Sequence, residues 1–324
     1  MDKDYYVYKS TNFSFKKESI TFDLDGTIIE TKSKRAFPIN ESDWKFRNGI
    51  LERLQKLNKK YSIIIITNQA KWNKLWDNKI NNIILELKKN NIFICVYMIK
   101  AYNIYRKPFP TLLNILKSKT KIKFYCGDME TDAKFAKNAN IPFIYIDSFL
   151  VDEKSEMKIT YPVKFEKIEK PKVVYHEHEM IILIGFPASG KSSFAKLFEG
   201  YIVINRDTIK TKMMKLFKES IDNNENIIID NLNNKIEDRK KFIDEAKKKD
   251  YFIRCIVINT NLEKSYHNMF YRMYKYKGTY LPMVIYRTYA KRYVEPTKKE
   301  GIDKIEYIEL QEPEEDEDYY LMFY

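Results

Sequence analysis

The sequence predicts an α/β fold built from two doubly wound parallel-sheet domains, one in each half of the chain. Three observations lead to this fold class. Short, continuously apolar runs alternate with stretches of helical periodicity, which is the pattern of parallel strands covered by helices on both faces. The alternation is interrupted once, by a charged segment with two prolines at 152–178. Finally, 324 residues are enough for about two domains of ordinary size.

In the first half, the apolar runs predict strands at residues 19–22, 61–66, 92–99, 123–126 and 142–146. Helical spacing predicts helices at residues 50–60, 77–90, 111–117 and 132–138. The helix at 50–60 rests on Leu51, Leu54 and Leu57, which recur on one side. We interpret residues 152–178 as a connector with an edge strand, because Lys and Glu replace the apolar pattern there.

In the second half, strands are predicted at residues 180–184, 201–205, 227–229 and 252–259. The predicted helices are residues 191–198, 208–218 and 238–249. The acidic run at 312–318 is interpreted as a solvated tail. The predicted organisation is a first domain at 1–152, a connector at 153–178, a second domain at 179–311 and an acidic tail at 312–324.

Composition narrows the class of protein. The net charge of +13 favours a polyanionic partner, although part of the lysine excess follows from the A+T-rich bias that abundant Lys, Asn, Ile and Tyr indicate. No run reaches the ~18 to 20 apolar residues of a membrane span, and the first residues contain no signal-peptide core. The scattered cysteines, which we expect to be reduced packing residues, are Cys95, Cys126 and Cys255. We therefore expect an intracellular protein of the nucleus or cytoplasm; a compact viral protein is an alternative.

The strongest chemical signal of the first half is the run FDLDGT at 22–27, which directly follows a predicted strand. Two carboxylates one residue apart on such a turn can have different tasks. Asp23 is expected to attack phosphorus and form an aspartyl-phosphate, and Asp25 to protonate the leaving oxygen and later activate water. The glycine between Asp25 and Thr27 lets the backbone turn sharply beside a ligand. The motif therefore predicts phosphoryl chemistry.

Further polar residues follow in order. Thr67, at the end of an apolar run, is expected to hydrogen-bond a phosphoryl oxygen, and Lys107 to neutralise developing charge. Asp128 ends another run and can complete a magnesium site with Asp23. For Asp132, a metal-linked role and a helix-cap role are equal alternatives. The predicted magnesium ligands of this half are Asp23, Asp25, Asp128 and Asp132.

This order of motifs resembles that of the haloacid dehalogenase phosphatase superfamily. The span at 28–61 is too short and too poor in helix for a cap domain. We therefore expect an uncapped haloacid dehalogenase-like phosphatase, whose open site would admit the end of a polymer.

The second half carries GFPASGKS at 185–192, between a predicted strand and a predicted helix, which is the context of a P-loop. Backbone amides and the helix N-terminus would hold phosphates. Lys191 would reach the β- and γ-phosphates, and the Ser192 hydroxyl would bind magnesium. The predicted cofactors are therefore ATP and Mg²⁺, and the predicted nucleotide-binding residues are Gly185, Ser189, Gly190, Lys191, Ser192 and Ser193.

Downstream residues add groups for a phosphoryl acceptor. Asp207, in NRDT, can accept the proton of an attacking hydroxyl, which a kinase needs and a hydrolase does not. Asp230 follows a predicted strand and is expected to orient magnesium-bound water. The basic, aromatic segment at 267–282 is a candidate lid, in which Arg272 would stabilise the transferring phosphoryl group.

Together the two halves resemble the polynucleotide kinase 3′-phosphatases that repair DNA strand ends. In the first half the resemblance rests on FDLDGTIIETKSKRAFP, SDW, IIITNQ and YRKP. In the second half it rests on GFPASGKSS, VINRDT, IIDNLN, HNMFYR, LPMVIY and EPTKKEG. The order, phosphatase before kinase, is that of the eukaryotic members. These usually begin with a forkhead-associated domain, for which we find no room before Ser19, so docking of phosphorylated partners is not expected.

The resemblance implies hydrolysis of 3′-phosphates by the first half and phosphorylation of 5′-hydroxyls from ATP by the second. It identifies Asp207 with the acceptor-activating aspartate. It also identifies Lys210 with a position where the phage relative has an acceptor-phosphate-binding arginine.

Cationic and indole side chains near the first motif are candidate contacts to the substrate. Arg35 and Trp44 are candidate contacts to phosphates and bases, and packing at a domain surface is an equal alternative for Trp44. DNA ends are favoured. RNA or tRNA repair stays open because contacts to the 2′-hydroxyl cannot be read from sequence. A small-metabolite kinase-phosphatase and a non-catalytic end-binding scaffold are further alternatives. A monomer is expected because one chain carries both sites.

Overall fold

The computed structural model describes residues 5–69, 74–100, 102–153, 173–205, 212–310 and Tyr319. These residues belong to two compact units, the first made of residues up to 153 and the second of residues from 173 onwards. Within the described residues, no helix is long and apolar enough to cross a membrane. The acidic run at 312–318 and most of the predicted connector lie outside the described residues, and the described part of the connector, 173–178, contains no strand.

A six-stranded sheet forms the centre of the first unit. In chain order its strands and those of a small ribbon are β1 (Tyr6–Lys9), β2 (Glu18–Phe22), β3 (Ile29–Glu30), β4 (Lys45–Phe46), β5 (Ser62–Asn68), β6 (Ile94–Ile99), β7 (Lys121–Gly127) and β8 (Phe143–Tyr145). The sheet order is β1-β6-β5-β2-β7-β8, and every pair is parallel except β1 with β6. β3 and β4 pair separately and antiparallel. Because β2 lies between β5 and β7, the residues that follow these three strands meet at one edge of the sheet.

Helices cover both faces of this sheet. They are α1 (Ile50–Lys60), α2 (Lys74–Lys89), α3 (Thr111–Lys117), α4 (Glu130–Asn138) and α5 (Ile146–Val151). Alternate residues of β5 enter different cores: Ile63 and Ile65 belong to one, and Ile64 and Ile66 to the other. This two-sided burial explains why the strand is apolar without alternation, as the sequence predicted.

The second unit contains a five-stranded, entirely parallel sheet. Its strands are β9 (Glu179–Ile184), β10 (Ile202–Ile204), β11 (Ile227–Asp230), β12 (Phe252–Ile258) and β13 (Lys304–Ile308), in the order β10-β11-β9-β12-β13. Its helices are α6 (Lys191–Ala195), α7 (Met213–Asp222), α8 (Ile236–Lys247), α9 (Leu262–Tyr276) and α10 (Met283–Arg292), with a 3₁₀ turn at Lys298–Glu300. Since β9 is central, the loop that follows it lies beside the end of β11.

The predicted fold class is confirmed, with two doubly wound sheets. Between β2 and β5 the chain forms only the β3–β4 ribbon and α1, which agrees with an uncapped phosphatase fold. The predicted elements at 50–60 and 111–117 match the observed helices in full. The elements not predicted from the sequence are β1, the β3–β4 ribbon, α5, α10 and β13. Most of α9 falls within the segment that was predicted as a lid.

Candidate active sites

The first site begins at the turn after β2. Backbone amides of Thr27, Ile28 and Ile29 all donate to the Leu24 carbonyl, and this folds the chain back beside the sheet. Gly26 in this turn has φ +79°, and a Cβ on it would lie 2.2 Å from an Asp128 carboxylate oxygen. Only glycine therefore permits both the turn and the close approach of Asp128.

A buried ammonium group connects two carboxylates of this site. Lys107 Nζ lies 2.5 Å from Asp23 Oδ1 and 2.7 Å from Asp132 Oδ1, and all three side chains are buried. It also donates to the Tyr125 hydroxyl at 3.1 Å. The backbone of Lys107 is fixed by Asn68, whose amide exchanges two hydrogen bonds with it. The lysine and both aspartates predicted from sequence are thus brought together.

Three carboxylates form a compact oxygen cluster at the same edge. Ligand atoms of Asp23, Asp128 and Asp132 lie within 4.8 Å of one another. Asp128 is held by the Thr27 hydroxyl, which donates to Oδ1 at 3.1 Å. Asp132 also accepts from the Met129 amide, so its metal-linked and helix-cap alternatives are geometrically compatible. The set of hard oxygen donors suits a cation such as Mg²⁺.

The electrostatics of the cluster favour an added positive charge. Burial raises the pKa of the Asp23 carboxyl; Lys107 opposes this, and the Asp132 carboxylate adds to it. Burial and then Asp132 also raise the pKa of Asp128. Burial alone would lower the pKa of Lys107, but Asp132 and Asp23 outweigh it and raise that pKa. Three carboxylates with one ammonium group are a state that a divalent cation would relieve.

Asp25 has a separate set of partners. Lys79 of α2 donates to its Oδ1 at 2.7 Å, and Gln69 donates to its Oδ2 at 2.8 Å. The same Gln69 amide group lies 2.8 Å from Thr67 Oγ1, so Thr67 and Asp25 are linked through one side chain. Asp25, which was also predicted as a magnesium ligand, is not one of the three carboxylates that form the cluster.

The two substrate residues predicted in the first half lie outside the carboxylate cluster. Trp44 is half-buried, packs against the first core and meets the ring of Phe46 edge-on at 5.4 Å. This contact agrees with the packing alternative for Trp44. Arg35 is exposed, and its carbonyl accepts a hydrogen bond from the Thr31 hydroxyl.

The second site is the loop between β9 and α6. Helix α6 begins after Gly190, which has φ +102°. Lys191 is buried, and its Nζ donates to the Gly185 and Phe186 carbonyls at 2.9 and 2.6 Å. The lysine therefore lies across its own loop, as expected for a loop that surrounds phosphates.

The end of β11 meets the start of α6. Ser192 Oγ donates to Asp230 Oδ2 at 2.5 Å, and Asn205 donates to the same oxygen at 2.9 Å. Ser192 and Asp230, each expected from the sequence to act at a magnesium ion, are thus in contact. Ser189 Oγ is buried and has no hydrogen-bond partner among the described residues, whereas Ser193 is exposed.

Helices α9 and α10 border this loop. Phe186 packs against Tyr289 of α10 at a ring distance of 4.5 Å. Asn268 of α9 donates to the Ala188 carbonyl at 3.1 Å and accepts from the Tyr319 hydroxyl at 2.7 Å. Arg272 is exposed on α9. Asp207 and Lys210 lie outside the described residues.

Several residues that form hydrogen bonds within the two sites were not predicted from the sequence. In the first site these are Lys79, Gln69 and Tyr125, and in the second Asn205 and Asn268. Gln69 and Asn205 each lie within two residues of a predicted site residue, so their positions were a usable signal. Lys79 carried none, because lysine is frequent throughout the chain.

The chain is similar to several known proteins. The family described as polynucleotide kinase 3 phosphatase matches residues 18–150. A bifunctional polynucleotide phosphatase/kinase of Schizosaccharomyces pombe is 30% identical over 336 residues, covering 93% of this chain and 82% of that protein. A protein of Acanthamoeba polyphaga mimivirus that provisionally carries the same name is 30% identical, covering 88% of this chain and 83% of that protein. A solved structure from Mesorhizobium loti, provisionally described as a HAD-like phosphatase, aligns at 16% identity with a TM-score of 0.38, over 43% of this chain and 77% of that one.

Two doubly wound units, one with paired aspartates after a strand and one with a P-loop, define a two-site phosphoryl-transfer enzyme. The identity to the fission yeast protein, over most of both chains, makes the assignment specific. The chain belongs to the family of bifunctional polynucleotide phosphatase/kinases. The predicted pairing of a 3′-phosphatase with a 5′-kinase is confirmed at the level of the family.

Proposed function

We propose that this enzyme heals nucleic-acid ends for ligation, with hydrolysis of 3′-phosphates by the first unit and phosphorylation of 5′-hydroxyls by the second. The observation that carries the proposal is the Asp23–Lys107–Asp132 contact beside Asp128, at distances of 2.5 and 2.7 Å. It supports a nucleophilic carboxylate held next to a cationic group and a cluster of metal-type ligands.

In the phosphatase half, an Asp23 oxygen attacks phosphorus while the bond to the 3′-oxygen breaks. The Asp25 carboxyl gives its proton to that departing oxygen. Water then attacks the aspartyl-phosphate, Asp25 takes a proton from it, and Asp23 is released together with inorganic phosphate. Thr67 and Lys107 bind phosphoryl oxygens during both steps.

Asp23, Asp128 and Asp132 would hold Mg²⁺, since their ligand atoms lie within 4.8 Å of one another and all are carboxylate oxygens. The bound ion would supply charge stabilisation for the phosphoryl oxygens.

In the kinase half, the loop from Gly185 to Ser192 would bind the phosphates of ATP. The buried hydroxyl of Ser189, without a partner among the described residues, supports a ligand at this loop. Ser192 and Asp230 would hold Mg²⁺, and Lys191 would leave its loop carbonyls for the phosphates. Asp207 would accept the proton of the 5′-hydroxyl, Lys210 would bind the acceptor phosphate, and Arg272 would stabilise the transferring group.

DNA ends are the proposed substrate, and Arg35 is the proposed phosphate contact near the first site. RNA ends are the alternative that the test below separates. We also propose that the enzyme acts as a monomer, because each unit contains its own set of catalytic side chains.

The test is an end-processing assay with Mg²⁺ and ATP on a nicked DNA duplex that bears a 3′-phosphate and a 5′-hydroxyl. A matched RNA nick is processed in parallel. Conversion of the DNA nick to 3′-hydroxyl and 5′-phosphate supports the proposal, and the rate ratio decides between DNA and RNA. Release of phosphate from a small phosphomonoester, with neither polymer processed, would contradict the nucleic-acid substrate.

Two substitutions test the division of labour. Asp23→Ala removes the nucleophile and is expected to abolish the phosphatase while the kinase remains within about twofold of wild type. Lys191→Ala removes the phosphate-binding ammonium group and is expected to have the opposite effect. Loss of both activities from either change would contradict the two-site assignment.

A further inference from the structure

Lys79 of α2 is a charged side chain that the mechanism above does not use. Only 2% of it is exposed. A lysine side chain is rarely buried to this extent unless it is paired. Its ammonium group lies 2.7 Å from Asp25 Oδ1 and 4.7 Å from the centre of the Trp76 ring. Trp76 and Lys79 are one helical turn apart, so α2 presents both on one face.

The Asp25 carboxylate is held at both oxygens. Lys79 donates to Oδ1, and Gln69, which directly follows β5, donates to Oδ2 at 2.8 Å. Asp25 itself is 44% exposed at its side chain, so its outer edge is open to a substrate while its inner edge is fixed. Two donors from two different elements restrict rotation of the carboxylate about its last torsion.

We infer that Lys79 is a positioning residue for the phosphatase reaction, which holds Asp25 in line with the leaving oxygen of the substrate. This inference rests on the proposed acid role of Asp25. Lys79 does not touch the phosphoryl group: it acts through the carboxylate that exchanges the proton. Its effect must therefore depend on whether the leaving oxygen needs a proton.

That dependence separates positioning from a purely structural role. A 3′-phosphate releases an alkoxide, which needs a proton as the bond breaks. p-Nitrophenyl phosphate releases a stabilised phenoxide that leaves without one. Because both substrates give the same aspartyl-phosphate, kcat/KM, which ends at its formation, reports the step in which they differ. A fold defect would lower kcat/KM for both alike.

The experiment compares Lys79→Met with the wild-type chain on an oligonucleotide 3′-phosphate and on p-nitrophenyl phosphate. We expect kcat/KM for the oligonucleotide to fall roughly 10- to 100-fold, since misplacement of a catalytic group by about 1 Å has this effect. For the aryl phosphate we expect a fall of less than about threefold by the same reasoning. Lys79→Arg, which keeps a donor and a charge, should restore most of the oligonucleotide activity.

Two further proteins complete the design. Lys89→Met removes a lysine of the same helix that is 69% exposed and pairs with Glu86, and both activities should be unchanged. In the Asp25→Asn background, adding Lys79→Met should cause no further loss, because the two residues act through one group.

An equal fall for both substrates, or additive losses in the double variant, would overturn the positioning role while leaving the proposed function intact. An unchanged oligonucleotide rate in Lys79→Met would overturn it as well. If the wild-type chain cleaves the aryl phosphate but not the oligonucleotide, the proposed function itself fails, and with it this inference.

Discussion

One ammonium group lies between two buried carboxylates in the first site, and this arrangement gives Lys107 two roles. It lowers the electrostatic cost of placing Asp23 and Asp132 together, and it leaves one carboxylate charge in excess before Asp128 is counted. The site thus retains negative charge that a cation would offset, while Asp23, the proposed nucleophile, stays next to a positive group. Tyr125 contributes the third contact to the ammonium group and keeps it centred.

Lys107→Met should therefore damage both catalysis and stability. We expect the phosphatase rate to fall by about 10² to 10³, the usual effect of removing one group that stabilises transition-state charge. The free energy of unfolding of the first unit should fall by about 3–5 kcal/mol, because two buried carboxylates lose their partner. Phosphate release and thermal unfolding are the measurements, and kinase activity is the internal control. A variant that melts like wild type would contradict the buried-pair interpretation.

Among individual residues, those at strand ends were predicted from the sequence, and those on helices were not. Thr67 and Asp128 lie where apolar runs stop, and parallel topology brings such ends together without further information. Lys79 reaches Asp25 only because α2 is rotated to present that face, and this depends on packing that no local pattern encodes. The contacts of Asp25 could not be predicted from sequence for the same reason: its partners come from α2 and from Gln69.

At the scale of elements, one buried arginine joins four segments of the second unit. Arg239 of α8 is fully buried and pairs with Glu300 of the 3₁₀ turn at 2.8 Å. It also donates to the carbonyls of Asn233, in the loop after β11, and of Val294, after α10. The loop that follows Asp230 and the helix that packs on Phe186 are therefore held by the same side chain.

Arg239→Leu is expected to lower the free energy of unfolding of the second unit by about 3–5 kcal/mol, since Glu300 is left buried without its partner. Kinase activity should disappear at a lower temperature, while phosphatase activity should not change. The matched control is Lys240→Met: the Lys240 side chain is 67% exposed, and its Nζ lies 3.8 Å from Asp244 Oδ2. Its effect should stay within about 0.5 kcal/mol. Equal destabilisation by the two changes would contradict the role of Arg239.

Helix α9 carries a histidine that makes the second unit sensitive to acid. His267 Nε2 lies 2.6 Å from the Tyr319 carbonyl, so this nitrogen carries the proton and donates. Burial lowers the pKa of His267 to about 4; the Tyr319 carbonyl opposes this, and Lys264 adds to it. Above pH ~6.5 neither state is protonated, and below it the unfolded chain takes up the proton first.

Stability contributed by His267 is therefore complete above pH ~6.5 and is lost as the pH falls towards 4. Between pH 7.5 and 5.5, the free energy of unfolding should drop by about 1 kcal/mol more in wild type than in His267→Gln, which keeps a donor but cannot titrate. Denaturant unfolding at both pH values measures this. Parallel losses in the two proteins would show that His267 is not the group that titrates.

Elements were predicted best where their apolar pattern is complete, on both faces of a strand or on one side of a helix. β5 and β9 are continuous apolar runs, and the helix at 50–60 has a clear apolar side. β1 and β13 lie at sheet edges and carry polar and aromatic residues, so they lack that signature. α10 places exposed Val284 and Ile285 beside buried Tyr286 and Tyr289, which obscures the helical period.

At the scale of the whole molecule, the net charge of +13 suits a substrate that is itself a polyanion. A positive charge would help both halves to bind their proposed substrates, because a 3′-phosphate end and a 5′-hydroxyl end belong to the same polymer. The two units share a fold class but differ in their candidate sites: carboxylates around an ammonium group in the first, and a loop before a helix in the second.

Salt should therefore weaken the enzyme on polymers far more than on small substrates. If about three phosphates of a single strand are contacted, kcat/KM for an oligonucleotide 3′-phosphate should fall on the order of 10-fold between about 50 and 200 mM salt. For p-nitrophenyl phosphate, which has no backbone to contact, the same change should have an effect of less than about twofold.

Steady-state rates on both substrates at four or more salt concentrations give the two slopes. Replacing Arg35 by Gln should reduce only the oligonucleotide slope, by about 0.7, and should leave the aryl phosphate rate unchanged. Equal slopes for the two substrates would mean that the excess lysine reflects composition rather than recognition of a polymer, because a polyanion held by its backbone must release counterions when it binds.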